Sequence, residues 1–250
     1  MIRSAMLVTL GIFVTWFIAT FVVVLSFLAP NENRMHRIAR LWARALLFLS
    51  NTRVDVRGAE NIPAGKPAVF MANHQSDFDI FIVLAHIPVQ FRWLAKKELF
   101  HIPIFGPAMR KAGYIEIDRQ NRERAFKSLD EAAEKIGQGK CVMTFPEGTR
   151  SRDGRMKPFK QGTFYLAIKS GAPIIPISII GSGEIMPKRS LQVNPGRIIM
   201  AIDKPIPVTG YTIETRAKLI ERVQGVILKN YNYWKAVRQG DATDAGKAAA

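Results

Sequence analysis

Cysteine is nearly absent: the 250 residues contain one, Cys141, so an intramolecular disulfide is excluded. Cys141 stands in the apolar run Cys141-Val142-Met143-Thr144-Phe145, which reads as a buried strand rather than the exposed, electropositive setting of a reactive thiol. Histidine is sparse too, and His36, His74, His86 and His101 are scattered without ligand spacing, so no metal site is expected. A G-x-S-x-G elbow, a P-loop, a dinucleotide fingerprint and paired Cys-x-x-Cys are all missing, which argues against a serine hydrolase of the usual kind. Acidic residues are few, 20 against 36 Lys+Arg, for a formal charge of +16. Partners should therefore be anionic: acidic lipid headgroups, phosphorylated substrates, an acidic protein or nucleic acid. Nucleic acid has only this charge in its favour, because interleaved aromatics and a recognised binding module are lacking.

What is abundant is apolar sequence at the amino end. No charged residue occurs from Ala5 to Ala29, and a helix of that length rises about 37 Å, enough to cross the hydrocarbon of a bilayer. It is also longer than the apolar core of a cleaved signal peptide. After Pro30, a second helix is expected over 33–50, with Arg34, Arg37, Arg40 and Arg44 on one side and Ile38, Trp42, Ala45 and Leu49 on another. That pattern suits a basic helix lying in a membrane surface; a helix packed on a core is the alternative, and the neighbouring apolar segment with the arginine-rich face favours the interfacial reading. Residues 1–50 are thus expected to be a membrane-embedded two-helix anchor. If the first helix spans, the arginine excess after it places the remainder in the cytoplasm; if both helices dip into one leaflet, the following domain sits on that leaflet.

Residues 51–238 read as one α/β domain with a mixed central sheet flanked by helices on both faces. Strands are expected at 54–56, 68–72, 91–94, 114–117, 141–145, 174–180 and 198–202, and helices at 77–86, 122–136 and 212–229. Prolines in Gly171-Ala172-Pro173-Ile174-Ile175-Pro176-Ile177 suggest an edge or an end for that strand. The tail 239–250 is small and polar enough to be flexible.

Two constellations could carry chemistry. Asn73-His74-Gln75-Ser76-Asp77-Phe78-Asp79 follows an apolar strand and opens a helix. A neutral imidazole at His74 can accept a proton near pH 7, and Asp79, reaching back from the first helical turn, could hold its other nitrogen. A capping box of Ser76 and Asp79 explains the same spacing, and both can hold together. The second stretch, Phe145-Pro146-Glu147-Gly148-Thr149-Arg150-Ser151-Arg152 with Lys157-Pro158-Phe159-Lys160-Gln161-Gly162, begins where a buried strand should end. Its basic residues, and a glycine that lets amides turn toward an anion, suit a phosphate cradle. Arg119, after the strand at 114–117, can add a bidentate fork.

Together these blocks resemble the glycerolipid acyltransferase family, whose best-known members acylate lysophosphatidic acid. The resemblance runs from Asn73 to Ile180: N-H-x-S-x-x-D at Asn73–Asp79, G-x-x-x-I-D-R at Gly113–Arg119, F-P-E-G-T-R-S at Phe145–Ser151 with K-P-F-K-x-G at Lys157–Gly162, and P-I-I-P-I at Pro173–Ile177. It implies that His74, aided by Asp79, deprotonates an acceptor hydroxyl that attacks an acyl thioester directly. It also implies that Arg119, Glu147, Gly148, Thr149, Arg150 and Lys160 form the acceptor site, with the tetrahedral oxyanion met by backbone amides near the helix after Ser76. The acceptor would be the membrane lipid 1-acyl-sn-glycerol 3-phosphate, acylated at sn-2, and acyl carrier protein or coenzyme A would bring the acyl group as co-substrate, with no bound cofactor. Another lysolipid acceptor, or a non-catalytic anchored binder of anionic lipid, are the alternatives. Glu116 and Met156 depart from the family pattern, and Glu116 puts the packing of its strand in question.

Overall fold

The structure, a computed structural model, describes residues 2–151 and 154–240. Helix α1 spans Ile2–Leu28, α2 Glu32–Leu49, α3 Phe78–His86, α4 Lys97–Phe100, α5 Phe105–Lys111 and α6 Arg122–Gly137, with α7 at Gln161–Ser170, α8 at Ser182–Ile185 and α9 at Arg216–Gln239. Strands are β1 Thr52–Arg57, β2 Val69–Ala72, β3 Phe91–Lys96, β4 Ile115–Ile117, β5 Cys141–Thr144, β6 Ile174–Ile180 and β7 Gly196–Ile202. They form one seven-stranded sheet in the order β1-β7-β6-β2-β5-β3-β4. All pairs are parallel except β6 with β7, so the sheet is mixed, as expected.

Strands β2, β5 and β6 are buried along their whole length, which is why they read as continuous apolar runs rather than alternating ones. Helices α2 and α3 bury Ala43, Leu47, Ile82 and Val83 against one face, on Phe70, Phe91, Met143 and Ile177. Helices α6, α7 and α9 cover the other, where Leu129, Phe164 and Ile227 meet Val69, Val142 and Ile174. Each such aliphatic or aromatic side chain contributes about 1.5–3 kcal/mol when taken from water.

Pro176 does not mark an edge, contrary to the sequence expectation: β6 lies between β7 and β2, and Pro176 pairs with Met71. A bulge explains its tolerance. Ile177 faces Ile202 but Ile174 faces Ile206, three steps on β6 against four on the returning chain, so the ladder breaks where proline has no N–H to give. Glu116 proves harmless, since its carboxylate leaves edge strand β4 to take a bond from Arg110 at 3.1 Å. Helix α9 starts at Arg216, after a turn in which Thr212 N–H donates to Thr215 Oγ1 at 2.8 Å, and continues to Gly240, whose φ of +86° ends it. It runs past 229 because Trp234 packs on Ile180, Ile199 and Ala201. Most of the tail expected from Gln239, residues 241–250, lies outside the described residues.

Helix α1 is the one described helix long and apolar enough to cross a membrane. It does not stand clear of the domain. Gly11, Thr15, Ala19, Val22 and Ser26 recur at spacings of three and four, and this side is small enough to lie close against α2 and α5, where Ala19 and Val22 meet Met35 and Ala108. At one end Arg3 donates to Val193 O at 3.0 Å and Ser50 O at 3.2 Å; at the other Lys111 Nζ sits 5.1 Å over the Phe27 ring. The apolar face of α2 is likewise taken up by the core, with Met35, Ala43 and Leu47 buried, and only Leu41 and Phe48 are left as large exposed apolar side chains. One face of α2 therefore packs on the domain through α3 and α5, as in the core-packing alternative, while Leu41 and Phe48 stay exposed.

Candidate active site

Strands β2 and β5 are adjacent and parallel, so the segments leaving their carboxyl ends emerge side by side. One carries His74 and the other Phe145–Ser151. Ser151 N–H donates to His74 O at 2.9 Å, tying them together.

His74 Nδ1 lies 2.8 Å from Asp79 Oδ2. The same oxygen accepts from Gln75 N–H at 2.7 Å and Ser76 N–H at 2.9 Å, and Asp79 is fully buried. Phe78 N–H in turn donates to Ser76 Oγ at 3.2 Å. Capping and imidazole orientation are thus one device, since a carboxylate held by two amides can hold the ring. The amides of Gln75, Ser76 and Phe78 are thereby engaged, which leaves these three out of the expected oxyanion site. The His74 ring stacks on Phe145 at 4.0 Å and 7° between planes. With Nδ1 fixed, Nε2 is the nitrogen left for chemistry, and the side chain is 13% exposed, toward a cavity it lines.

That cavity has a volume of about 360 Å³ and two characters. Its rim is cationic, with Lys96, Arg119, Arg150 and Lys188 around Gly148 and Thr149. The Arg119 guanidinium donates to Gly148 O, Arg150 is held by the carboxylate of Asp77, and Lys188 Nζ donates to Arg150 O at 2.6 Å. Beyond His74 the walls turn apolar, with Thr15, Ala19, Val22, Trp42, Phe105 and Met109 brought in from α1, α2 and α5. Trp42 Nε1 donates to Thr15 Oγ1 at 3.0 Å, pinning α1 on α2 along this wall.

Arg119, Gly148, Thr149 and Arg150 therefore gather with His74 as the sequence suggested. Two others do not. Glu147 is 2% exposed and faces inward: Oε1 accepts from His74 N–H at 2.7 Å and Oε2 from Lys157 N–H at 2.8 Å. It braces the peptide that carries the imidazole instead of meeting an acceptor. Burial raises its pKa above the usual carboxylate range, although those two amides pull the other way. Lys160 is exposed and lies outside the cavity lining, its stem against Gly148, where a Cβ would come 2.9 Å from Lys160 Cε and where φ is +72°. Lys188 was not anticipated, because nothing but a basic pair at Lys188-Arg189 signals it in the sequence. Cys141 is buried, and burial pushes its thiol pKa up, in keeping with a core role. Among the described residues no cluster of His, Cys, Asp and Glu could hold a metal ion.

A family model described as Acyltransferase matches residues 53–180. Among curated proteins, a chloroplastic 1-acyl-sn-glycerol-3-phosphate acyltransferase of Brassica napus is 38% identical over 173 residues, 68% of this chain and 50% of that protein. The alpha 1-acyl-sn-glycerol-3-phosphate acyltransferase of Homo sapiens is 34% identical over 193 residues, 77% of this chain and 68% of that one. The chain thus spans about half the length of the first of these. The crystal structure of the 1-acyl-sn-glycerophosphate acyltransferase PlsC from Thermotoga maritima superimposes with a TM-score of 0.77 at 29% identity, covering 94% of this chain and 98% of that one.

Proposed function

The chain belongs to the acyltransferase family, and from that premise we propose that it transfers a fatty acyl group from an acyl thioester to the sn-2 hydroxyl of 1-acyl-sn-glycerol 3-phosphate, forming phosphatidic acid for phospholipid synthesis. The observation that carries this reading is the 2.8 Å contact of His74 Nδ1 with buried Asp79, placed where a cationic rim meets an apolar wall.

Such a cavity suits a molecule that is anionic at one end and hydrocarbon at the other. Arg119 and Arg150 hold the phosphate, with Asp77 giving up the Arg150 guanidinium as the phosphate arrives, and the apolar wall takes a fatty chain. The free hydroxyl is thereby fixed beside His74, which removes part of the entropic barrier. Nε2 takes the hydroxyl proton as the oxygen attacks the thioester carbonyl; a C–O bond forms, the C–S bond breaks, and the imidazolium returns the proton to the leaving thiolate. Asp79 stays ionised throughout and steadies the imidazolium. No acyl-enzyme is involved.

The membrane is part of this reading. Phe13, Phe17, Phe21 and Phe27 of α1 are at least half exposed, and Phe48, Ile102 and Ile104 are exposed as well. The outer face of α1 rests in the lipid of one leaflet, on which the domain sits, while its inner face walls the cavity.

The test is a panel of lysolipids offered to the purified chain with an acyl thioester. Transfer should be fastest to 1-acyl-sn-glycerol 3-phosphate, and Arg150→Ala should raise the acceptor KM by about 10- to 100-fold with kcat largely kept. Equal rates on acceptors without a terminal phosphate would contradict the assignment and favour another lysolipid.

A further inference from the structure

Two cations of the cavity rim stand at the ends of neighbouring strands, joined by a contact that the mechanism above does not use. Lys96 ends β3 and Arg119 follows shortly after β4, and both line the cavity together with His74. The two strands are parallel and in register, Leu94 with Ile115, Ala95 with Glu116 and Lys96 with Ile117. One step further along each chain the ladder stops and a side-chain contact continues it: Lys97 Nζ donates to Asp118 Oδ2 at 2.7 Å. This pair therefore joins the residue after one rim cation to the residue before the other. Neither Lys97 nor Asp118 lines the cavity itself, in keeping with the alternation of side chains along an extended segment.

Asp118 holds more than Lys97. Its Oδ1 accepts from Gln120 N–H at 3.0 Å, a turn that spans Arg119. Asn121 Oδ1 then accepts from Arg124 N–H at 3.0 Å and caps α6. The backbone of Arg119 is thus fixed on one side by the Asp118 carboxylate and on the other by the start of a long helix. Asp118 is 6% exposed, with a second cation, Arg124, 3.9 Å from Oδ2. A carboxylate so placed makes stiffer bonds than a solvated surface pair, since charge-assisted bonds are about twice as strong as neutral ones and water competes for them less.

Recognition of a phosphate depends on where its cations stand. An arginine fork meets two phosphate oxygens only in one orientation, and a misplacement of about 1 Å can cost 100-fold. Resting on the acyl-transfer reading above, we infer that Lys97 and Asp118 are positioning residues for the acceptor phosphate: their ion pair locks the ends of β3 and β4 so that Lys96 and Arg119 converge on it, Arg119 being steadied from across the rim by Gly148 O. Asp118 in this way sets the affinity for the phosphorylated end of the lipid without touching it.

Three variants of the full-length chain test this. Asp118→Asn keeps the shape of the side chain and an oxygen for Gln120 N–H but removes the charge that holds Lys97; Lys97→Met removes the other half of the pair; Lys97→Arg keeps its charge. Steady-state rates are measured with 1-acyl-sn-glycerol 3-phosphate and an acyl-coenzyme A, with thermal midpoints as a check on folding. Asp118→Asn and Lys97→Met should each raise the acceptor KM about tenfold, with kcat and the donor KM within about threefold of wild type. The double variant should be no worse than the weaker single one, because the two residues act as a unit, and Lys97→Arg should stay within about threefold of wild type. A purely structural pair would instead lower the thermal midpoint and kcat and leave the acceptor KM alone. That outcome, or an equal rise in both KM values, overturns the inference while the acyl-transfer reading stands. If the wild-type chain turns nothing over, that reading fails separately. Calorimetric titration with 1-acyl-sn-glycerol 3-phosphate in detergent micelles then decides: binding weakened about tenfold in Lys97→Met supports the positioning role, and no binding or unaltered binding overturns it.

Discussion

Asp79 Oδ2 takes three donors at once, the His74 ring and two backbone amides, and Glu147 takes two more, the His74 N–H from the segment after β2 and the Lys157 N–H from its own segment after β5. The pairing of His74 and Asp79 could be suggested from the sequence because a first-turn carboxylate can reach back past the cap, but a capping box accounted for the same spacing. The direction of Glu147 could not be read, since a motif states which residue follows a strand and not whether its side chain turns out to solvent or in beneath it. The consequence can be measured. Glu147→Gln keeps the size but sets an amide N–H₂ against one backbone N–H, losing about 1–3 kcal/mol of buried hydrogen bonding at the peptide that carries the base. kcat should fall roughly 10- to 100-fold with the acceptor KM within about twofold of wild type, as steady-state rates would report. A large rise in acceptor KM with kcat intact would return Glu147 to the acceptor site.

Among elements, those with their own period or their own apolar run could be read directly: β2, β5 and β6 as buried strands, α6 as an amphipathic helix. Helices α4 and α5 could not, being four and seven residues long, with Pro107 and Gly106 inside the second. Pro176 misled because a bulge is a property of two strands together. Helix α1 was legible as an apolar helix, but its course along the domain depends on Gly11, Thr15 and Ala19 finding partners on α2 and α5. That course gives a prediction. The lone native cysteine is buried, so cysteines placed at Ile2 and Pro30 give the readable signal. In sealed vesicles a membrane-impermeant maleimide should label Ile2→Cys and Pro30→Cys from the same side. Labelling from opposite sides would make α1 a spanning helix.

For the molecule as a whole, the α/β class and the sheet's covered faces followed from the alternation of runs, whereas the cavity walled by three separate helices followed from tertiary packing alone. That packing sets a pH limit. His36 on α2 is fully buried beside Phe91, with Nδ1 3.1 Å from Tyr114 OH. Burial, then Arg92 and Arg40, lowers its pKa from 6.5 to about 3. Below about pH 6.5 the unfolded chain takes up a proton at this histidine that the folded chain refuses, so stability is full above that value and falls as pH drops toward 3, by at most about 1.4 kcal/mol per unit. His86, lowered mainly by burial, acts in the same sense. The thermal midpoint should decline between pH 6.5 and 5, and less steeply in His36→Gln; equal slopes in the two proteins would remove His36 as a cause.

The account turns on an imidazole aimed by a carboxylate, and the rate of acyl transfer to 1-acyl-sn-glycerol 3-phosphate by Asp79→Asn probes it most directly. The variant should keep its acceptor KM and lose about three orders of magnitude in kcat, as when the orienting carboxylate of a general base is neutralised. A kcat within tenfold of wild type would mean that Asp79 only caps α3 and that the base lies elsewhere.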